Sequence, residues 1–196
     1  MTASEPVGES QPEPLAIASG RPHTVTYSAA YTVVPTYECF NRCTYCNFRE
    51  EPGSEWLSLD AAREQLEPLR DRGICEILIL SGEVHPKSPR REALIDRIVQ
   101  LCELAVALGF LPHTNAGPVS EMEMLRLKSV NVSMGLMLEQ MSDRLLDTVH
   151  RHAPSKVPAL RLAQLEQAGR LQIPFTTGIL IGLGETADER RESLEA

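Results

Sequence analysis

Three of the chain's five cysteines lie within eight positions, as Cys39, Cys43 and Cys46 of "YECFNRCTYCNF". A closed zinc site needs four protein ligands, and an ordinary ferredoxin cluster needs four thiolates. The C-x3-C-x2-C spacing supplies three thiolates, so an iron–sulfur cluster bound here would keep one iron open to a ligand from outside the protein. This loop therefore predicts a site for chemistry rather than for electron storage alone.

The two remaining cysteines fall in apolar stretches of the sequence. Cys75 lies in the run "ICEILIL", and Cys102 lies in a helical pattern. Because free cysteine commonly behaves as a small buried hydrophobic residue, we expect both to be structural. An alternative is a zinc-binding module in which His85 or His113 completes the three clustered cysteines.

Apolar runs alternate with amphipathic stretches along the chain. The runs predict five strands, at residues 31–38, 74–80, 110–114, 130–138 and 173–183. Helical spacing and capping signals predict helices that start after Ser58, before Leu94, after Ser120 and after Thr186, with further helical stretches near 142–150 and 158–168. This alternation predicts an α/β fold with a parallel sheet, and the lengths of the units favour a barrel or partial barrel over an open doubly wound sheet.

Each predicted strand is followed by a polar or glycine-rich segment. After the cysteine loop these segments are "SGEVHP", "HTNAG", "SMGLMLEQ" and "GLGET". In a barrel of βα units, active sites lie where the strands end and the loops begin. One such loop is ordinary, but five on one face predict a functional site there.

Composition limits the class of protein. The chain has 196 residues, of which 42% are hydrophobic and 23% charged, which suits one globular domain. A formal charge of −8 argues against nucleic acid or an anionic membrane as a partner. No apolar run approaches the roughly 18 residues that a membrane helix needs. Clustered cysteines without a disulfide pattern predict a reducing cytoplasm as the location.

The two ends of the sequence suggest how the chain is organised. Residues 1–28 are rich in Pro, Glu and Ser and carry no secretory signal, so they predict a disordered leader. Residues 29–196 form the predicted barrel domain. This domain is expected to be C-terminally incomplete, because the sequence stops about three turns into a newly capped helix.

The cysteine motif, with Tyr45 before its last cysteine, resembles the signature of the radical S-adenosylmethionine superfamily. The resemblance implies a partial (β/α)6 TIM-like barrel, here truncated after the fifth strand. It also implies two cofactors, a [4Fe–4S] cluster bound by Cys39, Cys43 and Cys46 and S-adenosyl-L-methionine on its open iron. In the family, electron transfer from the cluster breaks the S–C5′ bond of S-adenosylmethionine.

Further family motifs match downstream residues. Ser81, Gly82 and Glu83 match the "GGE" motif that contacts the methionine ammonium, with serine in place of the first glycine. Gly182 and Glu185, in "GILIGLGE", resemble the motif near the adenine. The resemblance also implies that Tyr45 is part of the cofactor site and that Ser133 contacts the ribose.

"ECFNRCTYCNFR", "LILSGEVHP", "PHTNAGP" and "NVSMGLMLEQ", in this order, resemble the CofG-type subunit of 7,8-didemethyl-8-hydroxy-5-deazariboflavin (FO) synthase. That family makes the chromophore of cofactor F420. A CofH-type partner supplies an adduct of tyrosine-derived carbon and 5-amino-6-(D-ribitylamino)uracil. Hydrogen abstraction, cyclisation and loss of ammonia follow, and a ferredoxin- or flavodoxin-type donor supplies electrons.

Ring closure with loss of ammonia requires proton transfers, so we expect a titratable side chain to face the substrate. His113 is the first candidate and Glu139 the second, and Asn115 is placed to orient the uracil. Three alternatives remain open at this point. They are another radical enzyme of the menaquinone or biotin type, a non-catalytic zinc-binding module, and an inactive truncated paralogue.

Overall fold

The computed structural model describes residues 27–196. The sheet has five parallel strands: β1 (Ala30–Val33), β2 (Glu76–Leu80), β3 (Leu111–Asn115), β4 (Ser133–Gly135) and β5 (Phe175–Thr176). Five α-helices accompany it: α1 (Leu59–Leu66), α2 (Arg91–Ala107), α3 (Glu121–Lys128), α4 (Pro158–Arg170) and α5 (Ala187–Glu195). Short 3-10 turns occupy Glu67–Leu69, Asp143–Asp147 and Pro154–Lys156. Most of the predicted leader, residues 1–26, lies outside the described residues.

The strands are arranged in the order β1-β2-β3-β4-β5, and each pairs in parallel with the next one along the chain. This sequential order is that of a (β/α) barrel wall, whereas a doubly wound sheet reverses its order at a switch point. The predicted α/β fold with a parallel sheet is therefore confirmed. All five strand ends lie along one edge of the sheet.

The hydrophobic core lies between the sheet and the helices that cover it. Ile77 and Ile79 of β2 are 0% exposed and belong to the same core cluster as Leu94 and Ile98 of α2. The alternate residues of β2 face the opposite side, since side chains alternate across a strand. The helices thereby cover one face of the sheet, and the other face is open to the polar side chains described below.

The predicted helix starts are confirmed in detail. Ser58 Oγ accepts a hydrogen bond from Ala61 N–H at 3.1 Å, at the start of α1. Ser120 with Glu123 and Thr186 with Glu189 each form a capping box at the starts of α3 and α5. These signals are local, so the sequence was sufficient to find them.

Three strands are shorter than predicted: β1 ends at Val33 rather than at residue 38, and β4 and β5 are shorter still. The runs 130–138 and 173–183 contain only the three residues of β4 and the two of β5. Beyond them the two segments pair again only through an isolated bridge, Glu139 to Ile179. Glu139, which forms this bridge, has a φ of 68°, outside the extended region. The helical stretch predicted near 142–150 is a short 3-10 helix, Asp143–Asp147, rather than an α-helix.

The expectation that Cys75 is buried is also wrong. Cys75 precedes β2 and is exposed, with its Sγ 3.3 Å from Ser28 Oγ. Cys102, on α2, is buried as predicted. The described helices include none that is both long and apolar enough to span a membrane.

Candidate functional site

A cavity of about 430 Å³ opens at the carboxyl ends of β1 and β2. Its lining includes the three clustered cysteines, Tyr45, residues 81–83, Glu139 and Lys156. Eight of the residues proposed from the sequence therefore meet in one place. They come from three of the five loops singled out in the sequence: the cysteine loop, the loop after β2 and the segment after β4.

The cysteine loop is held by a segment more than a hundred residues away in sequence, residues 149–156. Arg42 N–H donates to His152 O at 2.7 Å, and Thr44 N–H donates to Val149 O at 3.0 Å. Tyr45 Oη lies 3.0 Å from His150 Nε2. The backbone between the first and last cysteine is thus fixed at several points by this one segment.

Within the loop, Cys39 and Cys43 are half-buried and Cys46 is exposed. Burial raises the pKa of the Cys43 thiol, and the nearby Lys156 ammonium opposes that rise. In the described part of the chain, no group of three or more His, Cys, Asp or Glu side chains is arranged to bind a single metal ion. Three thiols spread around one open cavity instead fit a cluster, in which each thiolate binds a different iron.

The histidines of the zinc alternative do not complete the cysteine set. His85 is exposed and packs edge-on against Phe40, with ring centroids 5.0 Å apart. His113 Nδ1 lies 2.8 Å from Ser133 Oγ, and His113 is not among the residues that line the cavity. Neither His85 nor His113 is therefore placed to be the fourth zinc ligand beside the three cysteines.

The backbone packed against position 82 leaves no room for a side chain, so this position requires glycine. Gly82 N–H donates to Thr36 O at 2.8 Å, so the loop after β2 lies directly against the chain that leaves β1. A Cβ at this position would be 2.2 Å from Glu38 O, closer than any real contact. Glycine is therefore the residue that permits this close approach of two backbones. Beside it, Ser81 Oγ donates to Gly82 O at 2.8 Å.

Glu83 is buried and accepts hydrogen bonds at both carboxylate oxygens. Oε1 accepts from Arg161 Nη2 at 2.8 Å and lies 3.9 Å from Lys156 Nζ. Oε2 accepts from Asn41 Nδ2 at 2.9 Å and from Ser155 Oγ. A carboxylate offers about four acceptor positions, so these three hydrogen bonds leave about one position for another donor.

Glu139 is the second acidic group of the cavity. It is buried, and its Oε1 accepts from Lys156 Nζ at 2.6 Å. Lys156 therefore stands between two carboxylates, Glu139 and Glu83. Asn115 lines a smaller adjoining cavity of about 170 Å³, which is also lined by Glu83, Glu139 and Lys156.

His113 and Ser133 lie apart from the main cavity and bond to each other. Ser133 is the first residue of β4. Burial lowers the pKa of His113, and the charge of Glu76 partly opposes this. His113 therefore favours its neutral form and is able to accept a proton.

Gly182 and Glu185 also lie outside the cavity lining and form a loop of their own. The Glu185 carboxylate accepts from Gly182 N–H at 2.9 Å, from Leu183 N–H at 2.8 Å and from Arg190 Nη2 at 2.7 Å. These donors, Gly182 N–H first, lower the pKa of Glu185 to about 2. In this structure Glu185 shapes the loop after β5.

Four polar residues of the site were not predicted from the sequence. They are Asn41, Ser155, Lys156 and Arg161. Asn41 lies inside the cysteine motif, and its position was the only available signal. The other three belong to a turn and a helix that carry no motif, so nothing in the sequence marked them.

Comparison of the sequence with known protein families identifies the superfamily to which the chain belongs. The model of the Radical SAM superfamily matches residues 33–196. The chain belongs to the radical SAM superfamily.

Curated relatives carry a more specific name. The chain is 69% identical over 172 residues to the 7,8-didemethyl-8-hydroxy-5-deazariboflavin synthase of Trichormus variabilis, covering 87% of this chain and 51% of that protein. It is 66% identical over 173 residues to the protein of the same name from Synechococcus elongatus, covering 88% and 52%. The chain thus spans about half the length of these relatives.

Solved structures show the same fold. Methylornithine synthase (PylB) matches with a TM-score of 0.70 at 16% identity, covering 85% of this chain and 48% of that one. The FeFe-hydrogenase maturase HydG of Carboxydothermus hydrogenoformans matches with a TM-score of 0.69 at 24% identity, covering 82% and 38%. The predicted partial barrel of the radical SAM type is confirmed.

Proposed function

We propose that this chain forms the S-adenosylmethionine-cleaving part of an FO synthase. The observation that carries the proposal is the meeting of Cys39, Cys43, Cys46 and Glu83 around one cavity. The name shared by relatives at 66–69% identity supports FO synthase over a menaquinone- or biotin-type enzyme.

The three cysteines would hold a [4Fe–4S] cluster with one iron free, and S-adenosylmethionine would occupy the cavity beside it. The cluster and S-adenosylmethionine, when bound, supply one-electron chemistry that removes hydrogen from a substrate. Glu83 has a remaining acceptor position for the methionine ammonium. Lys156 has three N–H donors, of which Glu139 takes one, so it is suited to the methionine carboxylate.

Glu139 and His113 are the proposed proton-transfer groups. Glu139 is the better placed of the two, because its side chain lines the cavity. It is held by Lys156, which fixes the direction of its carboxylate. His113 does not line this cavity and lies beside Ser133 instead. It would act on a substrate that reaches this part of the sheet.

The substrate in this proposal is the adduct of tyrosine-derived carbon and 5-amino-6-(D-ribitylamino)uracil. A CofH-type synthase would supply it, and a ferredoxin- or flavodoxin-type protein would supply electrons. Asn115, in the adjoining cavity, offers both a donor and an acceptor to the uracil edge. Free thiols that must bind a cluster fit a reducing cytoplasm.

Anaerobic reconstitution of residues 1–196 tests the proposal. We expect about four irons and four sulfides per chain, and formation of 5′-deoxyadenosine from S-adenosylmethionine after reduction. Because the chain spans about half the length of its relatives, we expect little or no FO from residues 1–196 alone when the adduct is added. Stoichiometric zinc after aerobic purification, with no iron uptake, would favour the zinc module. Iron uptake without any 5′-deoxyadenosine would favour the inactive paralogue.

A further inference from the structure

Asn41 connects the cysteine loop to two other parts of the site. It lies between Cys39 and Cys43 and is 2% exposed. Its Nδ2 donates to Glu83 Oε2 at 2.9 Å and to Ser155 Oγ at 2.8 Å. Its Oδ1 accepts from Ser155 N–H at 3.2 Å. One buried side chain thereby links the loop after β1, the loop after β2 and the 3-10 turn before α4.

The amide group matches its partners completely. An asparagine has two N–H donors and one carbonyl acceptor, and here both ends are used. Nδ2 also lies 3.8 Å from Cys39 Sγ, within range of a weak hydrogen bond to sulfur. Aspartate at this position would lack the donors and place a second carboxylate against Glu83.

The other side chains that donate to the Glu83 carboxylate, Arg161 and Ser155, lie outside the cysteine loop. Arg161 binds the opposite oxygen, Oε1, and itself anchors to Ser155 O at 3.0 Å rather than to the cysteine loop. Phe40 N–H donates to Glu83 O at 2.9 Å, but this bond holds the backbone of Glu83 and leaves its carboxylate free to turn. Asn41 is therefore the side chain of the cysteine loop that binds the Glu83 carboxylate directly.

We propose that Asn41 is a positioning residue that sets the Glu83 carboxylate relative to the cluster loop, and so couples S-adenosylmethionine binding to the cluster. The proposal rests on the proposed function for the identity of the ligand. Asn41 binds neither the cluster nor S-adenosylmethionine itself. Its loss should leave three thiolates able to bind iron while the site beside them loses its alignment.

The test compares Asn41→Ala with Asn47→Ala, a control in the same loop with an exposed side chain. After anaerobic reconstitution, both variants should bind as much iron and sulfide as the wild type. For Asn41→Ala, the dissociation constant of S-adenosylmethionine should rise about tenfold or more, the range of a lost hydrogen bond to a charged group. The change that S-adenosylmethionine produces in the EPR spectrum of the reduced cluster should also be diminished. Asn47→Ala should match the wild type in both measurements.

A second measurement uses the metal-free protein. Hydrogen exchange at the Ser155 amide should be faster in Asn41→Ala than in Asn47→Ala, because its acceptor is gone. Equal exchange, or equal S-adenosylmethionine affinity in the two variants, would overturn the inference. So would failure of Asn41→Ala to bind iron, since the three thiolates are held to be sufficient. A wild type that binds iron but not S-adenosylmethionine would instead contradict the proposed function.

Discussion

The guanidinium of Arg161 lies 2.8 Å from Glu83 Oε1, and the Arg161 side chain is only 1% exposed. The same guanidinium donates to Ser155 O at 3.0 Å and to Met137 O. A cation of α4 thus joins the loop after β2, the segment after β4 and the turn before its own helix. Both members of this buried ion pair line the smaller cavity of about 170 Å³.

Replacement of Arg161 by methionine should destabilise the metal-free protein. Removing one partner of a buried pair leaves the other charge uncompensated, which costs about 3–5 kcal/mol. We expect the lower end of that range, because Lys156 Nζ remains 3.9 Å from Glu83 Oε1. Urea unfolding followed by circular dichroism measures the change. Arg170→Met, at an exposed position of the same helix, is the matched control, and equal effects of the two would show that the pair is not important for stability.

Gly82→Ala should disturb both the fold and the cavity. The new Cβ would lie 2.2 Å from Glu38 O, a backbone atom that cannot rotate away. Overpacking of this kind costs about 1–3 kcal/mol. Gly169→Ala is the control, because it lies within α4 and has no atom within 4 Å of the added Cβ. There alanine should stabilise the helix by about 0.5–1 kcal/mol. Thermal unfolding of the two variants should therefore shift in opposite directions, and a shift in the same direction would contradict the packing argument.

Alanine substitutions of the five cysteines should fall into two groups, those that remove the cluster and those that leave it intact. Alanine at Cys39, Cys43 or Cys46 should remove most of the visible absorbance after reconstitution, because each thiolate is a proposed cluster ligand. Cys75→Ala should change neither cluster nor stability, because that side chain is exposed. Cys102→Ala should keep the cluster but lower stability, because Cys102 is buried beside Thr114, and burial raises the pKa of its thiol to about 11. Loss of the absorbance in Cys75→Ala or Cys102→Ala would refute the three-ligand assignment.

His113 should make stability depend on pH. Burial lowers its pKa in the folded protein, so the unfolded chain takes up a proton first as the pH falls through about 6.5. The free energy of unfolding should therefore decrease on going from about pH 7.5 to about pH 5.5, with no contribution from His113 at the higher pH. In His113→Gln this decrease should be smaller, although His150, whose pKa burial also lowers, retains part of it. Urea titrations of metal-free protein at the two pH values provide the measurement. An undiminished decrease in His113→Gln would rule out this role for His113.

Structural features that depend only on neighbouring residues could be predicted from the sequence, whereas features that depend on distant residues could not. The capping residues Ser58 and Ser120 were found because a cap involves only the next few residues. The runs predicted for β4 and β5 were too long because apolar residues continue past the strand ends; Leu136 and Leu138, for example, are buried but lie outside β4. Cys75 was misplaced by the apolar run around it, since strand β2 begins one residue later.

The sequence by itself determined the order of strands and helices, the three clustered thiols and the glycine of the loop after β2. These follow from periodicity, spacing and residue type, each of which acts over a few residues. Only the tertiary structure decided that Asn41, Ser155 and Arg161 meet at Glu83, and that Lys156 pairs with Glu139. Such contacts join segments up to 114 residues apart, and single polar side chains have no periodic pattern that would reveal them. They form because the parallel sheet brings all its carboxyl ends to one edge, where buried polar groups must find partners.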